Sequence, residues 1–99
     1  GDVYKRQPYG SLIRIVFGSP QPTAPLEVAR TAADRLSITG ARVLGPAPLF
    51  RLRGRARAQL VIKASRRAEA VAAVGQVVEA IAPAAAKAQV SISVDVDPQ

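Results

Sequence analysis

Arginine recurs at every second position in Arg51-Leu52-Arg53-Gly54-Arg55-Ala56-Arg57. In an extended strand, alternate side chains share a face and repeat about every 6.6 Å. Read as one strand, this stretch sets four guanidiniums in a row. A guanidinium is a permanent cation whose forked donors match the oxygens of a phosphate. The step is roughly that between phosphates of an extended single strand, so such a row suits a nucleic-acid backbone. Arg14, Arg42 and Lys63 are expected to extend the patch. Four phosphate contacts to a single strand imply a salt slope of about −2.8. Beyond the opening heptad the aromatics are Tyr9, Phe17 and Phe50, so backbone contact is expected rather than base readout. The plainer alternative is a solvated arginine face, or one docked on acidic protein.

Other chemistry is thinly represented. Asp95 and Asp97 share one face of a terminal strand, roughly 6–7 Å apart. Two carboxylates so placed suit a divalent ion or a division of acid and base roles. A polar strand end, or pairing with arginines, accounts for them equally simply. The chain has no cysteine and no histidine. That removes disulfides, thiol nucleophiles, the usual zinc ligands and histidine bases. No GxxxxGK[ST] phosphate loop occurs. No catalytic residue, cofactor-binding residue or metal ligand is assigned.

The chain has 99 residues, enough for one small domain with one core. Hydrophobic residues make up 48%, which argues against disorder. Its 14 Lys and Arg against 7 Asp and Glu give a net charge of +7, a balance that favours polyanionic partners. The longest uncharged stretch, residues 15–26, is too short to span a bilayer and contains three prolines. The opening GDVYKRQ has neither the apolar core nor the length of a targeting peptide. It reads as the translated end of a transposase-based sequencing adapter. Residues 1–7 are therefore set aside as a scar, and residues 8–99 are taken as the domain, part of a longer protein.

The elements that must hold the arginines follow a strand–helix–strand pattern given twice. SLIRIVFG is β-branched and bounded by glycines, a strand with Ile13, Ile15 and Phe17 on one face. Thr23 is an N-cap candidate for a helix whose Leu26, Ala29, Ala33 and Leu36 recur at helical spacing, with Gly40 as its C-cap. Residues 41–44 form a short second strand that Gly45-Pro46-Ala47-Pro48 should break. FRLRGRARAQLVIKAS alternates with period two. Leu52, Gly54, Ala56, Ala58, Leu60 and Ile62 face the core; the arginines, Gln59 and Lys63 face away. It reads as one long strand on the sheet, or as a basic hairpin arm curling off it. Ser65 should cap a second helix with Val71, Val74, Val78 and Ile81 buried, ended or kinked by Pro83. In the last strand Val90, Ile92, Val94 and Val96 face in. The order β-α-β-β-α-β predicts an α+β, ferredoxin-like split βαβ fold: a four-stranded antiparallel sheet with two helices on one face. The first and third strands are then central neighbours. Arg14 sits beside the arginine row, within reach of Asp95.

VLGPAP, RLRGRARAQLVIK and the terminal DVDPQ, with PYGSLIRIVF at the start, occur in an order and spacing that resemble the C-terminal domain of primosomal protein N′, the replication-restart helicase family PriA. The resemblance covers residues 8–99. It implies a cytoplasmic bacterial protein whose parent is an ATP-driven 3′-to-5′ DNA helicase. The ATP, magnesium and zinc sites of that parent lie upstream, outside this chain. It further implies a non-catalytic accessory domain that binds forked or single-stranded DNA. Single-strand-binding protein and primosome proteins are further candidate partners, and no membrane role is implied. On this reading Arg51, Arg53, Arg55, Arg57, Arg14 and Lys63 contact phosphates. Family members often carry aromatics where this chain has Ala56 and Ala58; by parity these face inward, which argues against stacking there. A protein-interaction module or a ribosomal-type RNA-binding domain are the alternatives.

Overall fold

The computed structural model describes residues 10–36 and 42–97. The opening heptad, Tyr9 and the Gly40 cap lie outside those residues. The elements are β1 (Ser11–Ser19), α1 (Ala24–Leu36), β2 (Arg42–Leu52), β3 (Arg55–Ala64), α2 (Arg67–Lys87) and β4 (Ser91–Val96). They form one four-stranded sheet in the order β2-β3-β1-β4, every pair antiparallel. This is the split βαβ fold expected, with β1 and β3 at the centre.

Burial of one sheet face decides the layers. Ile13, Ile15 and Phe17 of β1 and Ala58, Leu60 and Ile62 of β3 point into the core. They meet Val28, Ala29, Ala32 and Leu36 of α1 and Ala70, Val74, Val77, Ile81 and Ala85 of α2. Leu26, Ala33 and Val78 are at the margins of that core, and Val71 is exposed, so the buried stripe of each helix is turned slightly from the one expected. Ala56 and Ala58 are buried, as parity required. By length and composition α2 is apolar enough to cross a membrane, but here its inner stripe is committed to the sheet.

Three expectations need correction. The prolines do not end β2, which continues to Leu52 past register shifts between Leu44 and Ala47 and between Leu49 and Leu52. Because β2 is an edge strand, it has hydrogen-bonding obligations on one side only and tolerates proline. Gly45 permits the first shift: its φ is +100°, and a Cβ there would lie 3.0 Å from the Gln59 carbonyl oxygen. Of the two effects expected of Pro83, ending α2 is the one overturned, because the helix runs on to Lys87. Pro83 and Glu79, the residue whose carbonyl it leaves unpaired, are both exposed, so water can serve that carbonyl. The N-cap of α2 is Arg66 rather than Ser65, without a side-chain cap, and Arg66 pairs with Glu69 at 3.0 Å across the first turn.

Candidate nucleic-acid interface

The arginine row is folded over a turn. Arg51 lies at the end of β2, Arg53 and Gly54 form the connection, and Arg55 and Arg57 begin β3. Leu52 and Arg55 are paired across the turn. The two residues between them have φ of +53° and +76°, the pair of positive angles that a type I′ hairpin demands. Strand parity therefore fails from Arg51 to Gly54. Leu52 is not core-facing but 55% exposed, and Gly54 is exposed in the turn. Parity holds from Arg55 onward, where each even residue is buried and each odd one is exposed or half-buried. The basic stretch is thus the tip of the β2–β3 hairpin, and Arg57 stands where that hairpin joins the three-strand part of the sheet.

Arg53, Arg55 and Arg57 line one hollow of about 200 Å³ on the open face, with Val16, Leu52, Ser91 and Ser93. Arg55 is held there. Its guanidinium donates to the Gly18 carbonyl at 3.1 Å and to Ser91 Oγ at 3.3 Å, while the Ser91 hydroxyl donates to the same carbonyl at 3.2 Å. The charge of Arg55 is accordingly fixed over β1 and β4. The guanidiniums of Arg53 and Arg57 make no hydrogen bond or ion pair with the described residues. Arg51 donates to the Gly54 carbonyl at 2.8 Å, which braces the turn.

Arg14 and Lys63 lie farther along the same face. Arg57 is registered with Gly18, Arg14 with Val61, and Lys63 with Leu12. Four residues along β1 separate Gly18 from Arg14, about 13 Å. Arg14 donates to Gln59 Oε1 at 2.8 Å, although Asp95 is its registered neighbour on β4. The face thus has three arginines gathered at the hairpin end, and Arg14, Lys63 and Arg42 toward the other.

Asp97 lies just past the end of β4, and both of its carboxylate oxygens are engaged. Asp97 Oδ1 accepts from the Leu12 amide at 3.0 Å, and Oδ2 accepts from Arg67 Nε at 3.1 Å. Asp97 therefore pins the end of β4 to β1 and to the start of α2. No cluster of three acidic, histidine or cysteine side chains that could hold a metal is found among the described residues.

Two features were not singled out from sequence. Arg30 of α1 lines a second hollow, about 400 Å³, on the flank of the hairpin opposite the open face, with Arg51, Arg57, Leu49 and Glu27. Only tertiary packing brings a helix arginine to that strand edge. Phe50 is 93% exposed, because it falls in the register break between Leu49 and Leu52. The prolines upstream are the only hint in the sequence that β2 is irregular.

Likeness to solved structures carries the fold alone. A de novo designed protein, Foldit4, aligns over 90% of this chain and 97% of its own at a TM-score of 0.71, with 9% identity. A putative amidohydrolase/peptidase from Burkholderia cenocepacia aligns over 97% of this chain at a TM-score of 0.57 and 12% identity. A hydantoinase/carbamoylase family amidase from Burkholderia vietnamiensis aligns over 86% at a TM-score of 0.54 and 16% identity. This chain covers 31% and 26% of the length of those two enzymes. No curated protein sequence matches the chain. A family model does: that of the primosomal protein N C-terminal domain, over residues 5–99. Matched along nearly its whole length, the chain belongs to the family of primosomal protein N C-terminal domains.

Proposed function

We propose that this domain is a non-catalytic DNA-binding module of the replication-restart machinery and grips the phosphates of forked or single-stranded DNA. The observation that carries it is the gathering of Arg53, Arg55 and Arg57 around one hollow at the hairpin end of an open sheet face. Three permanent cations on one concave surface attract a polyanion and need no titratable partner. Arg51 stiffens the turn, and Arg14 and Lys63 continue the path along the sheet. Hydrolysis of ATP and the metal chemistry of a helicase fall to other parts of the parent protein, and the site of action is the bacterial cytoplasm.

The test is fluorescence anisotropy of the chain with labelled forked DNA, single-stranded DNA and matched RNA across a salt series. Micromolar binding to DNA that weakens steeply with salt is expected. The Arg53→Ala, Arg55→Ala double variant should weaken binding to all sequences alike and reduce the salt slope by about 1.4. A loss confined to one base sequence would contradict phosphate contact. Stronger binding to RNA would favour a ribosomal-type role. Salt-insensitive binding to a single-strand-binding protein or primosome peptide, with none to DNA, would favour protein docking.

A further inference from the structure

We infer that the hairpin edge is a single-strand reader. A single strand crosses it, a base stacks on Phe50, and phosphates follow on to Arg30 and Arg51 beyond it. This rests on the DNA-binding reading above and names the form of nucleic acid and the path it takes.

Three observations define the path. Arg57 lines both hollows, so the basic surface is continuous across the hairpin edge rather than confined to the open face. The farther hollow adds Arg30 and Arg51, and the Arg30 side chain, like that of Arg57, has no hydrogen-bond or ion-pair partner among the described residues. Phe50 stands in the chain between Leu49 and Arg51, which both line that hollow, and its ring is almost wholly in water. Single exposed apolar residues are ordinary. An all but bare phenyl ring at an arginine-lined edge is the combination that single-strand binders use: cations for the backbone and an aromatic face for a base.

The geometry also selects the form of nucleic acid. The path turns around an edge one or two strands wide, about 5–10 Å. A duplex, with a persistence length of about 50 nm, cannot follow so sharp a turn, whereas a single strand can. Base stacking further requires an unpaired base. Glu27, in the first turn of α1, is the one carboxylate among the described residues lining the farther hollow. It opposes an anion there and provides a probe of opposite sign.

Phe50→Trp tests this directly, because the chain has no tryptophan. A lone indole at this site should be quenched when oligothymidine binds and little changed by a duplex of the same length. Phe50→Ala should weaken single-strand binding about tenfold, with the salt slope unchanged. Arg30→Ala should reduce the slope by about 0.7, and Glu27→Gln should tighten binding. Phe50, Arg30 and Glu27 are all exposed, and circular dichroism would verify that each variant folds. Two results would overturn the path while leaving phosphate binding in place. One is an indole in the Phe50→Trp variant that oligothymidine does not quench. The other is a pair of variants, Arg30→Ala and Glu27→Gln, that bind as the unaltered chain does while the Arg53, Arg55 double variant is weakened. Absence of any nucleic-acid binding by the unaltered chain would sink both readings, and quenching only by anionic vesicles would assign the tip to a lipid surface instead.

Discussion

Arg53 is drawn in opposite directions by folding and by charge. Its φ of +53° is a conformation that L side chains resist, by about 1–2 kcal/mol, and asparagine tolerates it far better. Arg53→Asn should therefore raise the melting temperature while weakening DNA binding; a loss of both would mean that the arginine also braces the turn. A second residue-scale contrast lies between two buried serines of β1. Ser19 Oγ donates to the Ala88 carbonyl at 3.2 Å and accepts from the Gln21 amide at 3.0 Å. Ser11 Oγ is buried with no partner among the described residues. Removing a satisfied hydroxyl strands its partners, whereas removing an unsatisfied one relieves a desolvation cost. Urea melts should show Ser19→Ala destabilised by about 1–3 kcal/mol and Ser11→Ala neutral or stabilised.

At the scale of elements, α2 is the piece with slack. Gly75 lies inside this helix, and a Cβ added there would meet no neighbouring atom within 4 Å. Glycine in a helix interior is worse than alanine by roughly 0.5–1 kcal/mol, so Gly75→Ala should stabilise the domain by that amount in a thermal melt. No change would mean that some other constraint holds the residue. The β2–β3 hairpin shows the complementary case. Its type I′ turn is usually announced by Asn-Gly or Asp-Gly, and Arg53-Gly54 lacks that announcement. The alternation of arginines runs unbroken through it, which is why a strand reading extends across a turn. Likewise β2 looks broken by its prolines because strand propensity does not say which strands are edges; that is decided by the order β2-β3-β1-β4.

For the whole molecule, the net charge of +7 says that polyanions are attracted but not where. On the DNA-binding reading proposed above, the number of phosphates engaged depends on where. Contacts by Arg53, Arg55 and Arg57 alone predict that single-strand affinity falls about twentyfold between roughly 50 and 200 mM salt. A five-contact path, whether it adds Arg30 and Arg51 or Arg14 and Lys63, predicts about a hundredfold fall over the same range. Measuring the unaltered chain across that range separates three contacts from five, the Arg30→Ala variant then tells the two five-contact paths apart, and a flat response would remove phosphate contact from all of them.

The alternation of Ile13, Ile15 and Phe17, the helical spacing in α1 and α2, and the basic excess together determined the split βαβ fold and the polyanionic bias. Both follow from local periodicity and composition, which a linear chain displays in full. Tertiary structure alone decided the shape of the basic surface. A turn with two positive φ angles divided the arginines, Asp97 was taken up by Leu12 and Arg67, Phe50 was left in water, and Arg30 was carried to the hairpin from a helix far away in sequence. Each of those outcomes depends on which strand pairs with which and which helix lies over them, and no spacing along the chain encodes it.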